Sequence, residues 1–94
     1  MRFEWDPAKH RRNLIKHGIG FDEACLVWQD PLRLTVFDRV EGGEERWLVV
    51  GLVGPVAVVV VAHAYPDPDD DTWVRIISAR QATRQERRHY EDGA

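Results

Sequence analysis

Nine residues at the middle of the chain, Val56 to Ala64, read Val-Ala-Val-Val-Val-Val-Ala-His-Ala. The run is too short to cross a bilayer as a helix, and its β-branched side chains favour a strand. Val is stiff about its first side-chain torsion and packs well on a pleated surface, so the stretch predicts a strand buried on both faces. Such a strand needs neighbours at both edges and cover above and below. His63 is the exception, an ionisable group where the strand leaves the core.

The flanking segments are candidates for those roles. Asp6-Pro7 opens a helix, Asp as N-cap and Pro with its preset φ. Gly18 after Lys16-His17 closes it, which gives helix 1 at about 7–17. Lys9, Asn13, Lys16 and His17 share one polar face of that helix. Phe21 to Trp28 reads as a second helix, capped by Asp22 and ended by Asp30-Pro31. Leu32 to Phe37 alternates as a strand, Glu41-Gly42-Gly43-Glu44 turns, and Glu45 to Val53 returns as the next strand. Gly54-Pro55 leads into the central strand, Pro66 to Asp71 is an acidic loop, and Trp73 to Ser78 is the last strand. Thr83 with Glu86 three residues on is a capping box, so a third helix runs from about 83 to 91. The expectation is one α+β domain over residues 1–94: two N-terminal helices, a four-stranded antiparallel sheet and a C-terminal helix.

A chain of 94 residues with one cysteine has no internal disulfide and fits a reducing compartment. Its first residues are charged, with no apolar run behind them, so the cytoplasm is expected and a membrane partner is not. The net charge of −3 argues against tight, non-specific nucleic-acid binding, but the charge is unevenly spread. Arg2, Lys9, Arg11, Arg12 and Lys16 lie near the start, and Arg75, Arg80, Arg84, Arg87 and Arg88 near the end. If the two ends meet, they form a basic patch on an acidic protein.

Several short segments together resemble the BrnT family of ribonuclease toxins from bacterial type II toxin–antitoxin systems. They are Phe3-Glu4-Trp5-Asp6 with Lys9 and Asn13, Lys16-His17-Gly18 with Phe21 and Glu23-Ala24, Asp30-Pro31, Glu45-Arg46-Trp47, and Arg75 to Arg80 running into Ala82-Thr83, Glu86 and Tyr90-Glu91. The resemblance implies a RelE-like fold and RNA cleavage that stops translation. It also implies neutralisation by a BrnA-type antitoxin with a ribbon-helix-helix DNA-binding end, so that DNA is met only through the antitoxin.

Metal-free RNA cleavage uses the substrate's 2′-hydroxyl as nucleophile. The protein must supply a base, cations for the developing phosphate charge, and an acid for the leaving oxygen. Arg75 and Arg80 are the candidate clamps, because the guanidinium fork matches phosphate oxygens in pairs. The other reading of Arg75 is an ion pair with Glu45 across the sheet. His63 and His17 are the candidate proton-transfer groups. Each also has a structural reading, His63 as a satisfied sheet-end histidine and His17 as a helix C-terminal cap. Arg46, Lys9, Lys16 and Arg84 are candidate substrate contacts, while His10 and His89 read as surface. Neither metal nor cofactor is expected. Asp67, Asp69 and Asp71 mimic a calcium loop that lacks its glycine turn and closing glutamate, and no zinc spacing exists. The competing function is a non-enzymatic interaction module that acts as co-repressor with its antitoxin.

Overall fold

A computed structural model describes residues 1–93; Ala94 lies outside the described residues. In chain order the elements are β1 (Arg2–Glu4), α1 (Pro7–His17), α2 (Phe21–Ala24) continuing into a 3-10 turn (Cys25–Gln29), β2 (Leu34–Glu41), β3 (Glu44–Val53), β4 (Ala57–Ala64), β5 (Trp73–Gln81) and α3 (Arg84–Glu91). The sheet order is β1-β5-β4-β3-β2, so the valine strand β4 is central, as its composition requires.

The class is α+β, but the sheet differs from expectation. It has five strands and is mixed, because β1 pairs parallel to β5 through Arg2↔Trp73, Phe3↔Val74 and Glu4↔Arg75. Three residues are too few to display a period, and their partner lies far along the chain. The second helix is also shorter than expected, one α-turn tightening into 3-10 geometry. Asp22 does not cap it: Gly20 holds that position, and His10 Nδ1 accepts the Phe21 N–H at 2.9 Å.

The helix ends on either side follow local chemistry. Asp6 accepts the Ala8 N–H at 2.8 Å, and Gly18 closes α1 at φ 72°, its N–H on the Leu14 carbonyl. Thr83 and Glu86 form the reciprocal capping box of α3. Gly42 and Gly43, at φ 59° and 78°, make the two-residue turn joining β2 to β3.

The two faces of the sheet are unlike. On one, Val49, Val59, Val61, Val74, Ile76 and Ala79 pack against Ile19, Phe21, Ala24 and Val27 from the helical layer. Asn13 fastens α1 to this layer. It is buried, donates to the Ile19 and Ala79 carbonyls at 2.8 and 2.7 Å, and accepts the Ala79 N–H at 3.1 Å. Beyond Glu4 the outer edge of β5 has no strand partner among the described residues, and this amide pairs with its backbone as a strand would. The other face carries Arg46, Arg75 and Arg80 and, among the described residues, is crossed only by α3, which has no buried residue.

Candidate active site

Side chains alternate along a strand, so register assigns each one to a face. Ala64 pairs with Arg75, Ala62 with Ser78 and Val60 with Arg80. His63 pairs with Ile76 and with Trp47. In a regular strand Arg75 and Arg80, five residues apart, would point to opposite sides. The register shifts between Ala62 and His63, leaving Ile77 as an extra residue in β5. This β-bulge reverses the parity and puts both arginines on the open face. Arg46 joins them from β3, two residues before Leu48, which lies opposite Ala62. Ala62, Ala64 and Ser78 form a floor of small residues between the guanidinium groups.

Every one of these arginines has carboxylate company. Arg75 donates from Nε to Glu4 at 3.0 Å and from Nη1 to Glu44 at 3.1 Å. Its partners are thus Glu4 and Glu44; Glu45 points the other way, because adjacent strand residues face opposite sides. Arg80 donates twice to Glu86 of α3, at 2.7 and 3.0 Å. Hydrogen bonding from Arg80 is the main cause that brings the Glu86 carboxyl down to about 2. Arg46 meets Glu41 at 2.6 Å, and its Nε is buried with no acceptor among the described residues. Glu4 is held below the usual carboxylate range by Trp73, which donates at 2.7 Å, and by Arg75. Half-buried, with unused donors, Arg75 and Arg46 can exchange a carboxylate for a phosphate.

The histidines do not join this group. His63 is fully buried on the helical side, its ring against Trp28 and Tyr65 at centroid distances of 5.0 and 5.3 Å. Its nitrogens lie 3.2 Å from the Val61 carbonyl and 3.3 Å from the Tyr65 hydroxyl. Burial pushes its pKa down, and the Val61 carbonyl only partly opposes that. It therefore sits neutral in the core, with no path to a phosphate on the far side. His17 ends α1 beside Lys16, next to the left-handed Gly18. Lys9 and Lys16 are exposed on the same helix, and none of the three makes an ion pair among the described residues. Arg84 opens α3 in solvent, on the helix that supplies Glu86. Thus Arg46, Arg75 and Arg80 come together, with Arg84 on the neighbouring helix, while His63 and the α1 residues stand apart.

Two further concave surfaces lie outside the arginine group. A cleft of about 440 Å³ opens beside Glu44 and is lined also by Glu45, Asp71, Trp47 and Tyr65. A groove of about 290 Å³ between α3 and the sheet has a floor of Leu34, Val36, Leu48 and Val50. Cys25 is no nucleophile, since burial raises its thiol to about 11.

The family model described as "Ribonuclease toxin, BrnT, of type II toxin-antitoxin system" matches residues 5–86, most of the chain. The chain belongs to the BrnT family. A crystal structure of the Brucella abortus ribonuclease toxin BrnT superposes with a TM-score of 0.62 at 20% identity, covering 89% of this chain and 99% of that one. At that identity the likeness speaks for the fold. Comparison with curated proteins returns no significant match. The BrnT match runs from the first tryptophan through the capping box of α3 and includes Arg46, Arg75, Arg80 and Arg84.

Sequence reasoning passed over Glu4, Glu44 and Asn13 as members of the site and its support. Glu4 belongs to a strand too short to recognise. Glu44 opens β3, and the Gly42-Gly43 pair just before it is the sequence signal that a strand begins there.

Proposed function

We propose that this BrnT-family protein is a metal-independent endoribonuclease toxin acting in the cytoplasm, where it cuts RNA and stops translation. The observation that carries the proposal is the grouping of Arg46, Arg75 and Arg80 on one open face over a floor of small residues. Arg75 and Arg46 stand two strands apart, so their forks can close on one phosphate from either side. Arg80 lies about 13 Å further along the strand, four β4 residues at roughly 3.3 Å each. It suits a neighbouring phosphate of the same strand once Glu86 gives way. Fixed donors aimed at the charge that develops on phosphorus stabilise the transition state more than the ground state. Among the described residues no group of three or more histidine, cysteine or carboxylate side chains could hold a metal ion. No helix among them is long and apolar enough to cross a membrane.

Family membership implies an antitoxin partner. We take it to be a BrnA-type protein that binds DNA through a ribbon-helix-helix end, this chain reaching DNA only through it. The test is purified protein with messenger RNA in EDTA. Cleavage that survives EDTA and falls at least 100-fold in Arg75→Ala supports the proposal. Cleavage that requires added Mg²⁺ contradicts the metal-free chemistry.

One observation favours the alternative of a non-enzymatic co-repressor: the arginines are already paired with carboxylates in the free protein. That reading expects no growth arrest on induction and no effect of Arg75→Ala.

A further inference from the structure

Cleavage through the 2′-hydroxyl needs a proton acceptor beside the phosphate, and His63 is sealed on the wrong side of the sheet. The acceptors on the arginine face are carboxylates. Glu86 is fully engaged: one oxygen takes Arg80 and the Thr83 N–H, the other takes Arg80 again. Glu4 is likewise engaged, Oε1 by Trp73 and Oε2 by Arg75. Glu44 differs. Its Oε2 accepts from Arg75 at 3.1 Å, and its Oε1 has no partner among the described residues. It stands two residues before Arg46 on the same face of β3 and touches Arg75, one of the two guanidinium groups that would hold one phosphate. Glu41 has a free oxygen as well, but it lies on the edge strand, tied to Arg46 and Arg39 on the side away from Arg75. His89 lines the groove under α3, beside Glu86 and the Arg80 end of the face.

We infer that Glu44 is the general base, an assignment that rests on the ribonuclease reading above. Glu44 Oε1 takes the proton from the 2′-hydroxyl as O2′ forms its bond to phosphorus. The P–O5′ bond breaks with its electron pair on O5′, which takes a proton from solvent water. The products are a 2′,3′-cyclic phosphate and a free 5′-hydroxyl, and Glu44 then returns its proton to solvent. Arg75 has two tasks in this arrangement. It holds the carboxylate in place and stabilises the phosphorane-like charge. The Gly42-Gly43 turn fixes where β3 begins, and hence where the base stands.

The experiment compares Glu44→Gln with wild type on a short RNA in EDTA, with binding, single-turnover rate and thermal melt measured together. Gln keeps an oxygen acceptor for Arg75, so a merely positioning role survives the change while proton abstraction does not. The expected result is a rate at least 100-fold lower with RNA affinity within about threefold. The remaining rate should climb about tenfold per pH unit as hydroxide replaces the missing base. Formate should restore part of the activity of Glu44→Ala. Glu44→Gln cleaving within threefold of wild type would overturn the assignment, as would equal loss in Glu41→Gln or His89→Ala with Glu44→Gln intact. Wild type failing to cleave would remove the ribonuclease reading itself, a different outcome from a wild type that cleaves and a variant that does too.

Discussion

His63 and Arg75 are close neighbours in the sheet, since Arg75 pairs with Ala64, the residue that follows His63. Their fates are opposite. His63 faces a layer where Phe21, Val27, Val61 and Ile76 are sealed from water. Arg75 faces solvent across a floor of alanine and serine. On the helical side a polar group persists by being satisfied and neutral: Asn13 makes three bonds to backbone, and His63 gives up its charge. On the open side, charge is retained because opposite charges and water share the space. The comparison teaches that residue type alone does not mark a site in a small sheet domain. Strand parity does, and a single bulged residue can reset it.

The contrast can be broken first by stability. Phe21→Ala should cost about 3–5 kcal/mol, the range for emptying a buried aromatic site, and so leave little folded protein in a urea titration. Asn13→Ala should cost about 3 kcal/mol, because it strands the Ala79 N–H and two carbonyls that water cannot reach. Arg75→Ala and Arg80→Ala, both on half-exposed side chains, should cost less than about 1 kcal/mol. If the arginines proved as costly as Asn13, the open face would be structural and the contrast would fail.

pH sharpens it further. The folded pKa of His63 lies below its unfolded value of about 6.5, so the unfolded chain binds the proton more readily. Stability should therefore fall as pH drops below about 6.5, and His63→Phe should remove that part of the slope. Glu86 acts in a lower window. Its folded value of about 2 lies below the ordinary range, so its contribution is present above about 4.3 and lost as pH falls toward 2. Circular dichroism between pH 7 and pH 2 separates the two, because Glu86→Gln alters only the lower window. The smallest effects belong to α1: Lys9→Ala and His17→Ala should each change stability by under about 0.5 kcal/mol and cleavage by under threefold. A large loss in either would place α1 in the substrate path.

Much of this architecture was legible in the chain. The valine run marked the centre of the sheet, and Asp6-Pro7, Gly18 and the Thr83–Glu86 pair marked helix ends, because each of those signals is local. What escaped was non-local. β1 shows no period and exists only because β5 offers an edge. The bulge at Ile77 reads as an ordinary apolar pair with Ile76, yet it decides whether Arg80 faces the open side or the core. Glu44 and Glu45 are chemically alike, and only the register of β3 distinguishes the one that meets Arg75. His10 read as surface because nothing near it in sequence reveals the Phe21 amide it accepts from. Of the candidate residues, Arg75 stood out because a charge inside an apolar strand is conspicuous, while its partners Glu4 and Glu44 lie far off in sequence. The side of the sheet that His63 faces could not be read from the chain, because an exposed and a core-satisfied imidazole look identical without a face assignment.

The most direct measurement sets one face against the other: single-turnover cleavage of a short RNA in EDTA by wild type, Arg75→Ala and His63→Phe, each checked for folding by its thermal melt. The account predicts a loss of at least 100-fold in Arg75→Ala with its melt nearly unchanged, and cleavage by His63→Phe within about threefold of wild type per folded molecule. Full activity in Arg75→Ala together with a dead but folded His63→Phe would contradict it and move the chemistry to the helical side of the sheet.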